Sequence, residues 1–194
     1  MISKLSEKAA EKLLVQDNLS QEDRELYVYG FFMFFSQAFY FLQAIIWGVF
    51  FRIPLESAMF YIMFSIIRGY AGGVHASRES VCMICTSLSL LICVAAMKVC
   101  LEHSLIVAPS IILTVSTICI LILSPLDSEE KQVLASEKKE YRKKSYLFTA
   151  LIVSAAILAF ICGFSIFFYP CTASLFLESL LLILGKVKES ERLK

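Results

Sequence analysis

The sequence predicts an all-α, polytopic membrane protein: about six transmembrane helices preceded by an amphipathic helix lying in the membrane interface. Three observations carry this. Of 194 residues, 58% are hydrophobic and 18% charged, and the mean hydropathy is +0.74. A soluble domain of this length is less apolar and carries about 25% charged residues. The apolar residues fall in long runs broken by short polar steps, as spans of ~20 residues require. The charges gather at the N-terminus, around 124–145 and after Gly185, so the net charge of +1 hides a sharp segregation. No basic face stands clear of membrane or acidic neighbours, which argues against nucleic acid as a partner. The expected organisation is one membrane-embedded domain over 1–194: an amphipathic helix (1–20), a helical bundle (27–184) and a charged tail (185–194).

Each element has its own reason. Ile2, Leu5, Ala9 and Leu13 recur at helical spacing, Ala10 and Leu14 widen the stripe, and Lys4, Glu7, Lys8, Glu11 and Lys12 fill the rest. That pattern suits a helix in the interface or one packed on the protein's own loops. The polar first twenty residues do not read as a cleavable signal peptide. Ser20 and Asp23 sit at capping-box spacing for the next helix. Tyr27 to Phe51 is the first span, with Tyr27, Tyr29 and Trp47 suited to the interfacial belts. Arg52 and Pro54 end it. Leu55 to Ile67 is a short second span that can begin at Pro54. Val81 to Val99 is the third, closed by Lys98, Glu102 and His103, and Leu105 to Leu123 the fourth. Ser124-Pro125-Leu126-Asp127 then opens the one long polar segment, to Ser145. Tyr146 to Tyr169 is the fifth span, Pro170 a turn, and Cys171 to Leu184 a short sixth that Gly185 closes. No ionisable residue is expected deep in any span, and no internal repeat or low-complexity tract is present.

Lys and Arg fix the expected orientation. The N-terminal segment holds Lys4, Lys8, Lys12 and Arg24, the second connection Arg68 and Arg78, the fourth six basic residues, and the tail Lys186, Lys188, Arg192 and Lys194. The opposite connections hold only Arg52 and the boundary Lys98. By the positive-inside rule, both termini and the 68–82 stretch face the cytoplasm of a multi-pass cell-membrane protein. The seven cysteines show no disulfide-framework spacing, and those in apolar runs behave as small hydrophobes.

The chemistry concentrates in residues 68–82. One of the two histidines, two arginines, three glycines and Cys82 fall there. A cysteine nucleophile needs a base for its proton and a positive field that favours thiolate. On one straight helix, His75 and Cys82 would stand about 10 Å apart along the axis, too far for proton transfer. The pair works only if the chain bends between them. Gly72-Gly73 permit a bend, and Ser77 or Ser80 can cap a new helix whose first turns hold Cys82. That helix end, with Arg68 and Arg78, would favour the thiolate. The plain alternative is an incidental loop histidine and a packed thiol. Cys82 and Cys85 form a CxxC, but a redox or metal role lacks an exposed turn and a fourth ligand, so neither metal nor cofactor is called for. Asp127 stands where it could orient the histidine, or cap the polar segment. Lys138, Lys139, Arg142, Lys143 and Lys144 read as a solvated, membrane-facing cluster able to grip an acidic peptide.

The pattern from Arg68 through Gly72-Gly73, His75-Ala76 and Cys82 resembles the AgrB family, the accessory gene regulator B peptidases of Gram-positive quorum sensing. The similarity extends to the length, the amphipathic start, six apparent spans, the Ser124 to Asp127 step and the Arg142-Lys143-Lys144-Ser145 ending. The resemblance implies a membrane cysteine endopeptidase with Cys82 as nucleophile and His75 as base. Its substrate would be a small AgrD-like propeptide, cleaved through an acyl-enzyme thioester and closed to a thiolactone or lactone autoinducing peptide. A homodimer is compatible with the chain, although no GxxxG face argues for one. Three other readings compete. A small peptide exporter would place functional charges within the membrane. A non-enzymatic scaffold would leave Cys82 an ordinary thiol. A metal-dependent intramembrane protease would need a ligand set such as HExxH, which is absent.

Overall fold

A computed structural model of the chain describes residues 2–14, 21–73, 79–126 and 135–192. Among these residues it is all-helical: α1 Ile2–Leu14, α2 Gln21–Phe50, α3 Pro54–Ala71, α4 Glu79–Glu102, α5 Val107–Leu123, α6 Ala135–Ile161 and α7 Ser165–Arg192. α2, α4, α6 and α7 are long and apolar enough to cross a membrane. α3 and α5, with 18 and 17 residues, reach only about 25–27 Å. Six crossings are compatible with this set.

The chain divides into two compact units, Met1–Gln43 and Ala44–Lys194. In the first, α1 buries Ile2, Ser6 and Ala10, while Leu5 of the expected apolar stripe is exposed. Ser6 returns its hydroxyl to the Ile2 carbonyl (3.0 Å), which lets a polar residue sit on the buried line. Arg24 pairs with Glu11 at 3.4 Å. The α2 part of this unit exposes Leu26, Tyr27, Tyr29, Met33 and Phe34, a surface suited to lipid.

The second unit is built around α7. Two thirds of its apolar window is buried, against 22% for α4 and 28% for α6, and α3, α4, α5 and α6 all pack on it. Met63 meets Cys171, Arg68 meets Glu178, and Gly73 lies by the Leu181 carbonyl, so α3 and α7 run in the same direction. Leu105 meets Tyr169 and Ser116 meets Ser179, so α5 runs with them. α4 and α6 run back between. Three tight turns therefore share one end of the bundle, and all have one construction. Arg52, Ser104 and Gly163 adopt positive φ (61°, 48° and 73°). In each, the next amide reaches back five residues: Ile53 to Gly48 (2.7 Å), Leu105 to Cys100 (3.0 Å) and Phe164 to Ala159 (2.8 Å). These are Schellman closures of α2, α4 and α6. The other end carries the connections from α3 to α4 and from α5 to α6.

The structure corrects four expectations, three of them about element boundaries. The last turn falls at Gly163, not Pro170, which lies inside α7. Gly163 satisfies the closing carbonyls, whereas a proline in the second helical turn removes one hydrogen bond where the helix is barely begun. α7 does not stop at Gly185 but continues to Arg192, because the glycine is buried inside the helix. The basic residues 138–144 are not loop but the first turns of α6. And one span does hold a buried ionisable residue, Glu178 of α7, fully shielded from solvent.

Candidate functional site

The site grows from the end of α3. Arg68 lies in its last turn, and the helix closes on Gly72, whose amide donates to the Arg68 carbonyl at 3.4 Å. Gly72 and Gly73 take φ of 80° and 123°, open to glycine and strained for other residues. Space demands glycine at position 72 as well, where the neighbour is backbone. A Cβ on Gly72 would overlap the Leu126 carbonyl oxygen, and one on Gly73 would overlap the Arg68 guanidinium. Gly72 and Leu126 form a short parallel bridge, with the Leu126 amide donating to the Ala71 carbonyl at 2.9 Å. The turn after α3 is thus locked to the segment after α5, a pairing invisible in the sequence.

That second segment has its own anchor. Ser124 and Ser145, both buried, share a hydroxyl–hydroxyl hydrogen bond of 2.7 Å. The Ser-Pro step and the end of the basic stretch, far apart in the chain, meet here. Tyr70 adds a third tie: its ring stacks on Phe148 at 5.1 Å and lies 6.0 Å from Tyr141, joining α3 to α6.

Cys82 is the fourth residue of α4, in its first turn, and half-buried. The partial positive charge of a helix start acts within that turn. Cys85, one turn on, is exposed on the helix surface. His75, Asp127, Ser20, Ser77, Arg78 and Lys131 lie outside the described residues. The structure brings Arg68, Gly72 and Gly73 into one cluster with Leu126 and α7, and it puts Cys82 at the same end of the bundle.

The basic residues divide by what they touch. Lys144 pairs with Glu140 at 2.7 Å and lies over the Tyr70 ring at 5.6 Å. The Arg142 Nε donates to the Tyr146 hydroxyl (2.9 Å), which donates to the Leu121 carbonyl (2.8 Å). Lys144 thus ties α6 to α3, and Arg142 braces the Tyr146 that ties α6 to α5. Lys139 and Lys143 are exposed. Lys138 lines a cleft of about 170 Å³ with Lys186, Glu189 and the apolar Ile122, Leu123, Pro125 and Leu126.

Sequence reasoning passed over Glu178. It is the single Asp, Glu, Lys or Arg between Tyr146 and Gly185, and an ionisable residue within a span is by default a functional candidate. Its carboxylate stands 4.0 Å from Arg68 Nη1. Arg68 is therefore compensated from inside the bundle.

Comparison with known proteins agrees with this layout. Residues 6–182 match the family described as accessory gene regulator B, AgrB. An AgrB-like protein 2 of Clostridium perfringens (strain 13 / Type A) is 28% identical over 153 residues, covering 76% of this chain and 71% of that one. An AgrB-like protein of Clostridium perfringens strain SM101 gives the same identity and coverage. No solved structure matches. With nearly its whole length matched and its apolar helices arranged as above, the chain belongs to the AgrB family of multi-pass membrane proteins, which act in processing of the agr quorum-sensing propeptide.

Proposed function

We propose that the chain is a membrane cysteine endopeptidase acting on an AgrD-like propeptide, with Cys82 as nucleophile and His75 as base. The observation that carries this is the place of Cys82: first turn of α4, half-buried, shortly after a glycine turn locked on two sides. Cys82 thiolate attacks a peptide carbonyl of the propeptide, and the amide C–N bond breaks. His75 delivers the proton it took from the thiol to the leaving amine, leaving an acyl-enzyme thioester. An internal propeptide thiol or hydroxyl then attacks that thioester, closes the thiolactone or lactone, and returns Cys82. Exchanging one thioester for another is near neutral in energy. The site must exclude water and hold the peptide bent, and release of the cleaved tail draws the reaction on.

The positive-inside pattern supports a cytoplasmic location for this end of the bundle and for both termini. We take 1–194 as one working domain; a homodimer stays within the proposal without a contact that requires it. Glu178 removes one argument against an exporter, since that reading asks for an intramembrane charge. The peptidase reading is preferred because Glu178 has its partner in Arg68, at the glycine turn.

The test is alkylation of Cys82 across pH in sealed vesicles, read by mass of the Cys82 peptide, with His75→Ala beside it. The peptidase reading expects fast alkylation of Cys82 near neutral pH that slows in His75→Ala. It also expects Cys82→Ala to insert normally and leave the propeptide uncut, since a small-for-small change costs little stability. Cleavage by Cys82→Ala would take the nucleophile's role from Cys82, and a propeptide left uncut by the wild type would hand the function to the scaffold or exporter reading.

A further inference from the structure

Glu178 has no part in the reaction just described, yet its environment is unusual. The side chain is fully buried half-way along α7, 13 residues past Ser165 and so roughly 20 Å into the helix. Neither carboxylate oxygen has a hydrogen-bond partner among the described residues. A buried charge needs compensation, and the group that supplies it is the Arg68 guanidinium at 4.0 Å. The same guanidinium nitrogen, Nη1, donates to the Gly72 carbonyl. Gly73 lies against that guanidinium, which a Cβ there would displace, and near the Leu181 carbonyl. Gly72 is in turn bridged to Leu126. One planar cation thus joins an acid in the bundle interior to the turn from which the chain leaves for His75 and Cys82.

We propose that Glu178 and Arg68 are a positioning pair. Glu178 holds the guanidinium in the orientation that clamps Gly72-Gly73, and so sets where the chain enters the catalytic stretch. Because that stretch is catalytic only under the peptidase reading, the effect on turnover rests on that reading. The guanidinium suits the task through its fixed fork, which can face a carboxylate and a carbonyl together; a lysine ammonium has no such fixed geometry. Stability is a weak reason for keeping the pair, since replacing a buried ion pair by well-packed hydrophobic residues of similar volume is often neutral or stabilising.

The experiment uses the full chain in proteoliposomes and a fluorophore-tagged AgrD-like propeptide, comparing wild type, Glu178→Gln and the double variant Arg68→Gln/Glu178→Gln. We expect Glu178→Gln to lower kcat by roughly tenfold or more, with KM within about twofold. Amide exchange across 69–73 and 124–126 should quicken. The double variant leaves no charge unpaired, so it should recover part of the thermal midpoint that the single variant loses while kcat stays low. If Glu178→Gln fails to fold, the double variant carries the comparison alone. Wild-type kcat in the double variant, or unchanged kcat with raised KM in the single one, overturns the pair. If the wild type leaves the propeptide uncut, the peptidase reading fails and exchange alone decides. Faster exchange at 69–73 in Glu178→Gln then upholds the pair, and unchanged exchange overturns it.

Discussion

Gly72 shows how one residue can be fixed by conformation and space at once. Its φ of 80° is strained for a residue with a side chain, and a Cβ there would run into the Leu126 carbonyl. The neighbour is backbone and cannot rotate aside. Gly72→Ala should therefore part the turn from Leu126 and cost more than the ~1–2 kcal/mol of left-handed strain alone. Thermal unfolding in detergent reads that cost, and propeptide cleavage should fall with it. A Gly72→Ala protein with wild-type midpoint and activity would show that the bridge to Leu126 is not what holds the turn. The two glycines were legible in the sequence as a place where the chain bends. What Gly72 avoids was not, because Leu126 lies more than fifty residues away in the chain.

At the scale of elements, the three Schellman turns use three different residues for one conformation. Gly163 has it without strain; Arg52 and Ser104 do not. Ser104→Gly should stabilise the fold by about 0.5–1 kcal/mol, and Gly163→Ala should destabilise it by about 1 kcal/mol, both through the left-handed position. Opposite shifts of the thermal midpoint are the check; shifts of one sign would exclude that cause. The start of α6 allows a sharper test of substrate binding than reversing the whole basic cluster. Lys144 reaches Tyr70 of α3, and Arg142 holds the Tyr146 hydroxyl that reaches Leu121, so reversing them mixes folding with binding. Lys139 and Lys143 are exposed. Lys139→Glu with Lys143→Glu should raise KM for an acidic-tailed propeptide severalfold with little change in midpoint, and the rise should fade in high salt. An unchanged KM removes these two lysines from binding.

Across the whole molecule, the parallel run of α3, α5 and α7 sorts the chain into two ends. The Schellman turns occupy one; Cys82, the glycine turn and Ser124–Ser145 occupy the other. Cys162 is exposed beside the Gly163 turn, so it and Cys82 provide a pair of labels at opposite ends. A membrane-impermeant maleimide should reach Cys162 from the outer face of right-side-out vesicles and Cys82 only once they are inverted. Labelling of both from one side would contradict six crossings. The same scale explains why α7 escaped the sequence reading. Its apolar run looked like a short, late span because Pro170 and Gly185 are common helix breakers. Packing on four helices carries it through both.

The sequence by itself determined the class of the fold, since lipid admits only helices or closed barrels and the apolar runs have helix length. It also determined which stretch holds the candidate nucleophile, because Cys, His, Arg and Gly are rarely gathered so closely in such a chain. Tertiary structure alone decided that α7 is the central helix, that Ser124 meets Ser145, and that the turn after α3 is held from the segment after α5. It alone gave Arg68 its partner in Glu178. The physical reason is the same in each case. Periodicity and composition report what a segment prefers, whereas a hydrogen bond or an ion pair between distant segments depends on which helices the bundle sets side by side.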